Sequence, residues 1–201
     1  MSKARQSGKT GLEVFADTVK TASGRGPAPV HLWNPPYCGD IDMRIASDGT
    51  WFYQGTPIGR PALIQLFASI LKREGDKFFL VTPVEKCGIV VDDAPFMAVE
   101  LNVGEGGAGR ELYFRTNVGE WVTCGPGHAL RFEGDAATGG LKPYVHVRAD
   151  LWAKVTRAVW FEMVELGEFR EVAGTEMFGV VSAGEFFTMA AASSLEEDIG
   201  L

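Results

Sequence analysis

Four cationic side chains fall within or at the end of predicted strands: Arg44, Lys86, Arg115 and Arg148. Four stacking or hydrogen-bonding side chains occupy comparable places: Trp51, Tyr53, Asn117 and Tyr144. A guanidinium binds a phosphate or carboxylate through two parallel hydrogen bonds and also stacks on aromatic rings. We therefore predict that this set contributes to a site for a small, flat anion. Ordinary outward-facing strand residues would give the same pattern, so both interpretations stay open.

The cysteines and histidines offer a second kind of chemistry. Cys124 and His128, separated by Gly-Pro-Gly, could supply a thiolate with a nearby base or two zinc ligands. The remaining candidates lie far away in the sequence without ligand spacing: His31, Cys38, Cys87 and His146. We therefore interpret residues 124–128 as a glycine-rich turn, and predict neither a closed metal site nor a disulfide framework.

Other motifs resemble known sites without their structural context. Gly104–Gly109 has the form GxGxxG, which opens a helix in dinucleotide-binding folds, but alternating residues follow it here and predict a hairpin loop. Ser7–Thr10 matches only the end of a phosphate-binding loop. Asp42, which shares a strand face with Asp40, is the best acid–base candidate. A hydrolase or transferase that uses Asp42 or the Cys124–His128 pair is the least favoured alternative.

The composition indicates a soluble globular protein. The 201 residues are 46% hydrophobic and 22% charged, with a formal net charge of −7. An acidic chain lacks the basic footprint of nucleic-acid-binding proteins, and no apolar stretch reaches the roughly 18 residues of a membrane span. Three widely spaced cysteines are typical of a reducing compartment. We therefore expect a cytoplasmic protein that binds neither nucleic acid nor membrane.

The elements that position these residues form a predicted first lobe at residues 30–82, after an N-terminal helix and linker at 1–29. The predicted elements are a helix at 12–19, strands at 41–45, 51–53 and 78–81, and a helix at 60–74. Asp48-Gly49 predicts the turn between the first two strands, and Gly75 predicts the end of the second helix. Pro83 interrupts the chain and predicts the boundary between the lobes.

The second predicted lobe, residues 83–201, is rich in strands. These are expected at 84–91, 96–103, 111–116, 120–123, 144–148, 177–182 and 185–189. Apolar residues recur every three or four positions from Leu151 to Leu166 and predict a helix that begins at Asp150 and ends at Gly167. An acidic tail follows the last strand.

An internal similarity at an offset of 70 residues indicates a duplication. The matched residues are Gly39 with Gly109, Gly49 with Gly119, Trp51 with Trp121, and Gly55 with Gly125. Both segments predict a strand, a tight turn and a strand that carries the tryptophan. We therefore predict an α+β fold of two small lobes with a duplicated strand–turn–strand motif, in which Trp51 and Trp121 occupy equivalent environments.

Several separated sequence blocks carry a family resemblance. The first is Trp33-Asn-Pro-Pro-Tyr-Cys-Gly39-Asp-Ile-Asp-Met-Arg-Ile45, which continues through Asp48-Gly and Trp51 to Arg60. Further blocks lie at 79–86, 91–96, 114–119 and 143–148. Together they cover roughly residues 30–190 and closely resemble the bacterial family known as domain of unknown function 1285 (DUF1285).

The resemblance implies a two-domain α+β protein with repeated motifs, whose second domain superficially resembles a pleckstrin-homology fold. It implies no catalytic residues and no cofactor, and it suggests a nucleotide-like ligand between the domains and a role in signalling. We therefore predict a non-enzymatic ligand-binding module of bacterial signal transduction. Arg44, Lys86 and Arg115 would hold phosphate, while Trp51 or Tyr53 would stack on a base. The alternative is a protein–protein interaction module, because pleckstrin-like sheets often present surfaces to peptides.

Overall fold

The computed structural model describes residues 28–136 and 138–199, so the predicted helix at 12–19 lies outside the described residues. The chain forms two units that divide between Asp93 and Ala94. This division differs from the predicted boundary near Pro83 because the strand after Pro83 pairs within the first unit. Both units consist mainly of strands with a few helices, which confirms the α+β prediction. No helix in the described part of the chain is long and apolar enough to cross a membrane.

The first unit contains one six-stranded sheet. Its elements are a 3₁₀ helix at Val30–Leu32, β1 Tyr37–Ile45, β2 Trp51–Tyr53, β3 Thr56–Pro57, α1 Pro61–Ser69, β4 Leu71–Glu74, β5 Lys77–Val81 and β6 Lys86–Val91. The strand order is β3-β2-β1-β6-β5-β4. All neighbours are antiparallel except β1 and β6, which run parallel. One parallel pair thus joins two antiparallel three-stranded ribbons.

The core of the first unit forms where α1 packs on this sheet. Met43 and Ile45 are buried on β1, while the residues next to them on the strand face solvent, as expected for a strand with one buried face. Trp51 lies opposite Ile45 on β2 and stacks on Phe67 of α1, with 6.4 Å between the ring centroids. Both rings are fully buried. The aromatic pair therefore fastens the helix to the sheet.

The predicted helix at 60–74 is wrong beyond Ser69. Leu71–Glu74 forms β4 and pairs with β5, with Leu71 opposite Leu80. Gly75 therefore lies in a hairpin turn, where its φ of +61° suits glycine, and not at the end of a helix. Helical spacing of the apolar residues continues through Leu71, but strand pairing buries that side chain, and tertiary packing outweighs the weak helix propensity of a short segment.

The second unit contains a six-stranded and a three-stranded sheet. Its elements are β7 Phe96–Gly106, β8 Gly109–Thr116, β9 Trp121–Thr123, β10 Leu130–Gly134, β11 Leu141–Arg148, β12 Leu151–Val155, α2 Arg157–Glu165, β13 Glu168–Val172, β14 Thr175–Ser182, β15 Glu185–Ala191 and α3 Ala192–Ile199. The sheet orders are β10-β11-β12-β7-β8-β9 and β13-β14-β15. Strands β10, β12 and β13 have no counterpart among the predicted strands, and α3 occupies most of the predicted acidic tail.

The predicted helix at 150–166 is wrong in its first third. Leu151–Val155 is a strand whose odd-numbered residues are buried and whose even-numbered residues are partly exposed. The helix begins only at Arg157, after Thr156 in an extended conformation. Residues 151, 152, 155 and 159 fit a helical spacing, but 151, 153 and 155 fit a strand equally well. Pairing with β11 on one side and β7 on the other decides in favour of the strand.

The two six-stranded sheets share one topology. If the six strands of each sheet are numbered along the chain, both sheets have the order 3-2-1-6-5-4. Strand 1 is β1 in the first sheet and β7 in the second. In both sheets the first and sixth strands are parallel and all other neighbours are antiparallel. The predicted duplication is therefore present at the level of the whole sheet.

The offset of 70 residues relates hairpins that are not equivalent in this repeat. Trp51 lies opposite Ile45 and Trp121 lies opposite Arg115, across turns whose glycines have φ values of +83° and +87°. Trp51 is fully buried, however, whereas Trp121 is 45% exposed. The predicted equivalence of the two tryptophans is therefore wrong. The offset superposes the β1–β2 hairpin on β8–β9, whereas the shared topology equates β1–β2 with β7–β8. At the matched positions, β1–β2 and β8–β9 therefore bury opposite faces.

Candidate functional site

The two predicted cations of the first unit are both bound to carboxylates. Arg44 donates from Nε to Asp92 Oδ1 at 2.8 Å and from a terminal nitrogen to the other carboxylate oxygen. These hydrogen bonds hold the pKa of Asp92 below its usual value. Lys86 Nζ lies 2.9 Å from Glu74 Oε2 and 4.9 Å from the centroid of the Phe79 ring. Each cation is therefore paired with a carboxylate of its own unit.

The predicted cations of the second unit are paired in the same way. Two nitrogens of Arg115 contact one carboxylate oxygen of Glu100, and Arg148 forms an ion pair with Glu120. Arg148 also lies over the Phe96 ring, 5.1 Å from its centroid. These arginines stabilise the sheet through ion pairs and aromatic contacts.

The remaining predicted residues divide between structural and exposed positions. Trp51 is part of the core, and its Nε1 donor is buried without a hydrogen-bond partner among the described residues. Tyr53 is half-buried on β2. The Asn117 side chain accepts a hydrogen bond from the Met97 backbone N–H at 3.0 Å and so ties the β8–β9 turn to β7. Tyr144 is buried under an arginine of the neighbouring strand.

A basic and aromatic surface that the sequence did not indicate lies around that tyrosine. Strand pairing places Arg131 opposite Tyr144, Tyr144 opposite Lys154, and His146 opposite Trp152. Residues directly opposite each other share a face of the sheet, as do residues two apart on a strand. These five side chains therefore line one face, which we call the β10–β12 face. The residues between them on β11 and β12 are buried on the other face.

Arg131 is stacked on this face. Its guanidinium carbon lies 4.4 Å from the centroid of the Trp152 ring and 5.0 Å from that of Tyr144. The arginine side chain is 42% exposed, and its Nε lies 3.0 Å from Glu133 Oε1. His146 packs edge-on against Trp152 with 5.1 Å between centroids. The arrangement presents a guanidinium, an indole and an imidazole side by side.

The Cys124–His128 segment forms a turn, as predicted. Gly125 and His128 exchange backbone hydrogen bonds of 3.2 and 3.0 Å. His128 Nδ1 faces the His146 carbonyl oxygen at 3.1 Å. Burial raises the pKa of the Cys124 thiol to about 12, so this sulfur stays protonated at neutral pH and is a poor nucleophile. The structure thus gives no support to a thiolate–base pair here. The GxGxxG segment likewise lies in the β7–β8 hairpin, as predicted, with Gly106 opposite Gly109.

The first unit brings together a thiol cluster that sequence spacing did not indicate. Cys38 Sγ lies 2.8 Å from Cys87 Sγ and 4.0 Å from Glu85 Oε2. The three ligand atoms lie within 4.8 Å of one another. The cysteines are 49 residues apart and meet only because β1 and β6 are neighbours. No local signal in the sequence could have identified this pair.

Two family models match the chain. One is described as "Domain of unknown function (DUF1285), N-terminal domain" and matches residues 28–94. The other is described as "Protein of unknown function (DUF1285), C-terminal domain" and matches residues 95–189. The junction between the two matches lies one residue from the division between the structural units.

Two crystal structures resemble this chain. A DUF1285 family protein from Silicibacter pomeroyi DSS-3 is 52% identical, with a TM-score of 0.84 over 94% of this chain and 100% of its own. A DUF1285 family protein from Shewanella baltica OS155 is 28% identical, with a TM-score of 0.50 over 62% of this chain and 91% of its own. No curated protein shows significant similarity to this chain. The names of these relatives mention no ligand, substrate or partner.

Proposed function

This chain belongs to the DUF1285 family, whose function is unknown, and we propose that it is a non-enzymatic module that binds a small, flat, nucleotide-like anion. The proposed site is the β10–β12 face. The observation that carries the proposal is the stacking of Arg131 on Trp152 and Tyr144. From the family resemblance we further propose that binding serves bacterial signal transduction.

The aromatic contacts fix the orientation of the Arg131 guanidinium before an anion binds. Contact with two aromatic rings holds the plane of the guanidinium, so less conformational freedom is lost when a ligand binds. Glu133 Oε1 lies 3.0 Å from Nε of Arg131. In the proposed complex the terminal nitrogens donate to phosphate oxygens, while the exposed part of Trp152 offers a surface for a planar base.

Two of the predicted cations, Arg44 and Arg115, are less suitable for contact with a phosphate. Arg44 already uses Nε and a terminal nitrogen on Asp92, and Arg115 uses the same two groups on Glu100. A phosphate would have to displace a carboxylate from either of them. The chain as a whole carries a net charge of −7, so a bound anion requires a local concentration of positive charge. Arg131 provides such a charge directly beside two aromatic rings.

Titration calorimetry with adenosine monophosphate, inorganic phosphate and adenosine tests the proposal. Wild-type protein should bind the nucleotide more tightly than either fragment, because the nucleotide combines charge with a planar ring. Arg131→Gln should weaken nucleotide binding at least about tenfold, since a hydrogen bond to a charged group contributes roughly 1.5–3 kcal/mol. Circular dichroism of each variant checks that the sheet is intact.

Arg170→Gln is the matched control. Arg170 lies in the same unit, pairs through Nε with Glu168, and lies 5.3 Å from the centroid of the Phe186 ring. Its side chain is 46% exposed, close to the value for Arg131. Binding should be unchanged in this variant. An equal loss in both variants, or no binding of nucleotide and phosphate by the wild type, would overturn the proposal.

A further inference from the structure

The thiols of Cys38 and Cys87 meet at the central parallel pair of the first sheet. Cys38 is exposed on β1 and Cys87 is 4% exposed on β6. Both are free thiols, with 2.8 Å between the sulfurs. They lie in the first unit, so an inference from them does not rest on the ligand site proposed above.

An irregularity in the strand pairing creates this contact. Tyr37 pairs with Lys86 and Gly39 pairs with Cys87, so Cys38 is an extra residue on β1. In a regular ladder Cys87 would share a face with Gly39, and Cys38 would point to the opposite face. The extra residue turns the strand, and Gly39 adopts a φ of +106° that only glycine takes without strain. The local backbone therefore directs the Cys38 sulfur to Cys87.

The distance between the sulfurs discriminates between a disulfide and a zinc site. A disulfide requires a separation of about 2.05 Å, so the sulfurs need to approach by less than about 1 Å. Two thiolates on a tetrahedral zinc ion, each about 2.3 Å from the metal, would be about 3.8 Å apart. Zinc would thus force this pair apart by about 1 Å, although Glu85 provides a third ligand atom nearby. The geometry favours the disulfide.

The two thiols differ in their access to solvent. Solvent reaches Cys38, whose sulfur lies 3.3 Å from the Lys86 carbonyl oxygen and 4.0 Å from Glu85 Oε2. Burial and the neighbouring Cys38 raise the pKa of Cys87 to about 12, so Cys87 remains a thiol until its partner has reacted. An oxidant from solution therefore meets Cys38 first.

We propose that Cys38 and Cys87 are a reversible oxidation site, at which Cys38 reacts with a low-molecular-weight disulfide and Cys87 closes an intramolecular disulfide. The Cys38 thiolate attacks one sulfur of the reagent, a mixed disulfide forms, and one thiolate leaves. Cys87 then attacks the Cys38 sulfur, the bond between Cys38 and the reagent breaks, and the proton of Cys87 ends on the departing sulfur, which leaves as the second thiol. The protein loses two electrons and two protons, and the reagent becomes two thiols. A dithiol reductant reverses the reaction.

Thiol mapping after equilibration with glutathione disulfide tests this inference on the full chain. The protein is quenched by alkylation, digested and analysed by mass spectrometry. We expect a peptide cross-linked between Cys38 and Cys87, while Cys124 stays reduced and is alkylated only after unfolding, because it is completely buried. Cys38 should lose its thiol more than about tenfold faster than Cys124.

Two variants resolve the order of the steps. Cys87→Ser should trap glutathione on Cys38, and Cys38→Ser should leave Cys87 unmodified. If Cys87→Ser fails to fold, the wild-type map still decides between a cross-link and none. Accumulation of only the mixed disulfide in the wild type would overturn the inference. So would the absence of thiol loss, or one equivalent of zinc bound by the reduced chain that prevents ring closure.

Discussion

Oxidation of Cys38 and Cys87 should stabilise the first unit by about 4 kcal/mol. The cross-link would join residues 49 positions apart. In the chain-entropy model, closing a loop of about 50 residues removes close to 14 cal/mol/K of unfolded-state entropy, which is about 4 kcal/mol at 25 °C. Strain in the folded state should offset little of this stabilisation, because the sulfurs already lie 2.8 Å apart.

Urea denaturation of the oxidised and reduced protein measures this difference. With a slope of about 2 kcal/mol/M, a gain of about 4 kcal/mol moves the midpoint of the first unit up by about 2 M. Hydrogen exchange followed by mass spectrometry assigns the effect to the correct unit. Amides of β1 and β6 should gain protection on oxidation, whereas amides of the six-stranded sheet in the second unit serve as the internal reference.

The control is Cys38→Ser, which cannot form the cross-link and should unfold at the same urea concentration with and without oxidant. A midpoint that is unchanged in oxidised wild-type protein, with the cross-link verified by mass, would refute the reasoning. It would mean that closing the bond strains the strand pair by as much as it restricts the unfolded chain. An equal rise in Cys38→Ser would attribute the effect to another site.

Three further predictions concern the first unit. Phe67→Ala should lower the free energy of unfolding by about 3–5 kcal/mol in chemical denaturation, because Phe67 is fully buried against Trp51 and its loss leaves a cavity; Phe161→Ala, at a 52% exposed position, should have little effect. Gly39→Ala should slow disulfide closure measured by thiol mapping, because alanine strains the φ of +106° that directs the Cys38 sulfur. Asp92→Asn should remove part of the acid sensitivity measured by thermal unfolding between pH 2 and pH 5. Arg44 lowers the pKa of Asp92 in the folded state, so this carboxylate stabilises the fold above its unfolded-state pKa and that stability is lost as pH falls through the folded-state pKa.

Short-range patterns in the sequence were sufficient for many of the strands and turns. Alternation over residues 41–45 and the Asp48-Gly49 turn correctly predicted the second half of β1 and the hairpin to β2. The GxGxxG segment was correctly assigned to a hairpin because a strand-like alternation follows it. Such features depend on residues within a few positions of each other, so they can be recognised without knowledge of the partners in space.

Where the apolar spacing fits both a helix and a strand, the secondary structure was decided only by the neighbouring strands. Leu71–Glu74 and Leu151–Val155 were both predicted as helix, and both are strands because adjacent strands pair with them. The duplication was indicated by an offset of 70 residues, but the true repeat equates different hairpins. Which face of a hairpin is buried depends on what packs against it, and the matched glycines carry no information about that.

The chemistry of the candidate sites depended almost entirely on the tertiary structure. Arg44 and Lys86 were recognised as strand-borne cations, but their partners Asp92 and Glu74 lie 48 and 12 residues away and could not be assigned. The pairing of β1 with β6 brought Cys38 to Cys87, and the register of β10 to β12 stacked an arginine on two aromatic rings. By itself, the sequence determined the residue types and the turns and strands whose signals lie within a few positions of each other. Contacts between distant residues follow from strand order and register, which are set by the free energy of packing the whole sheet.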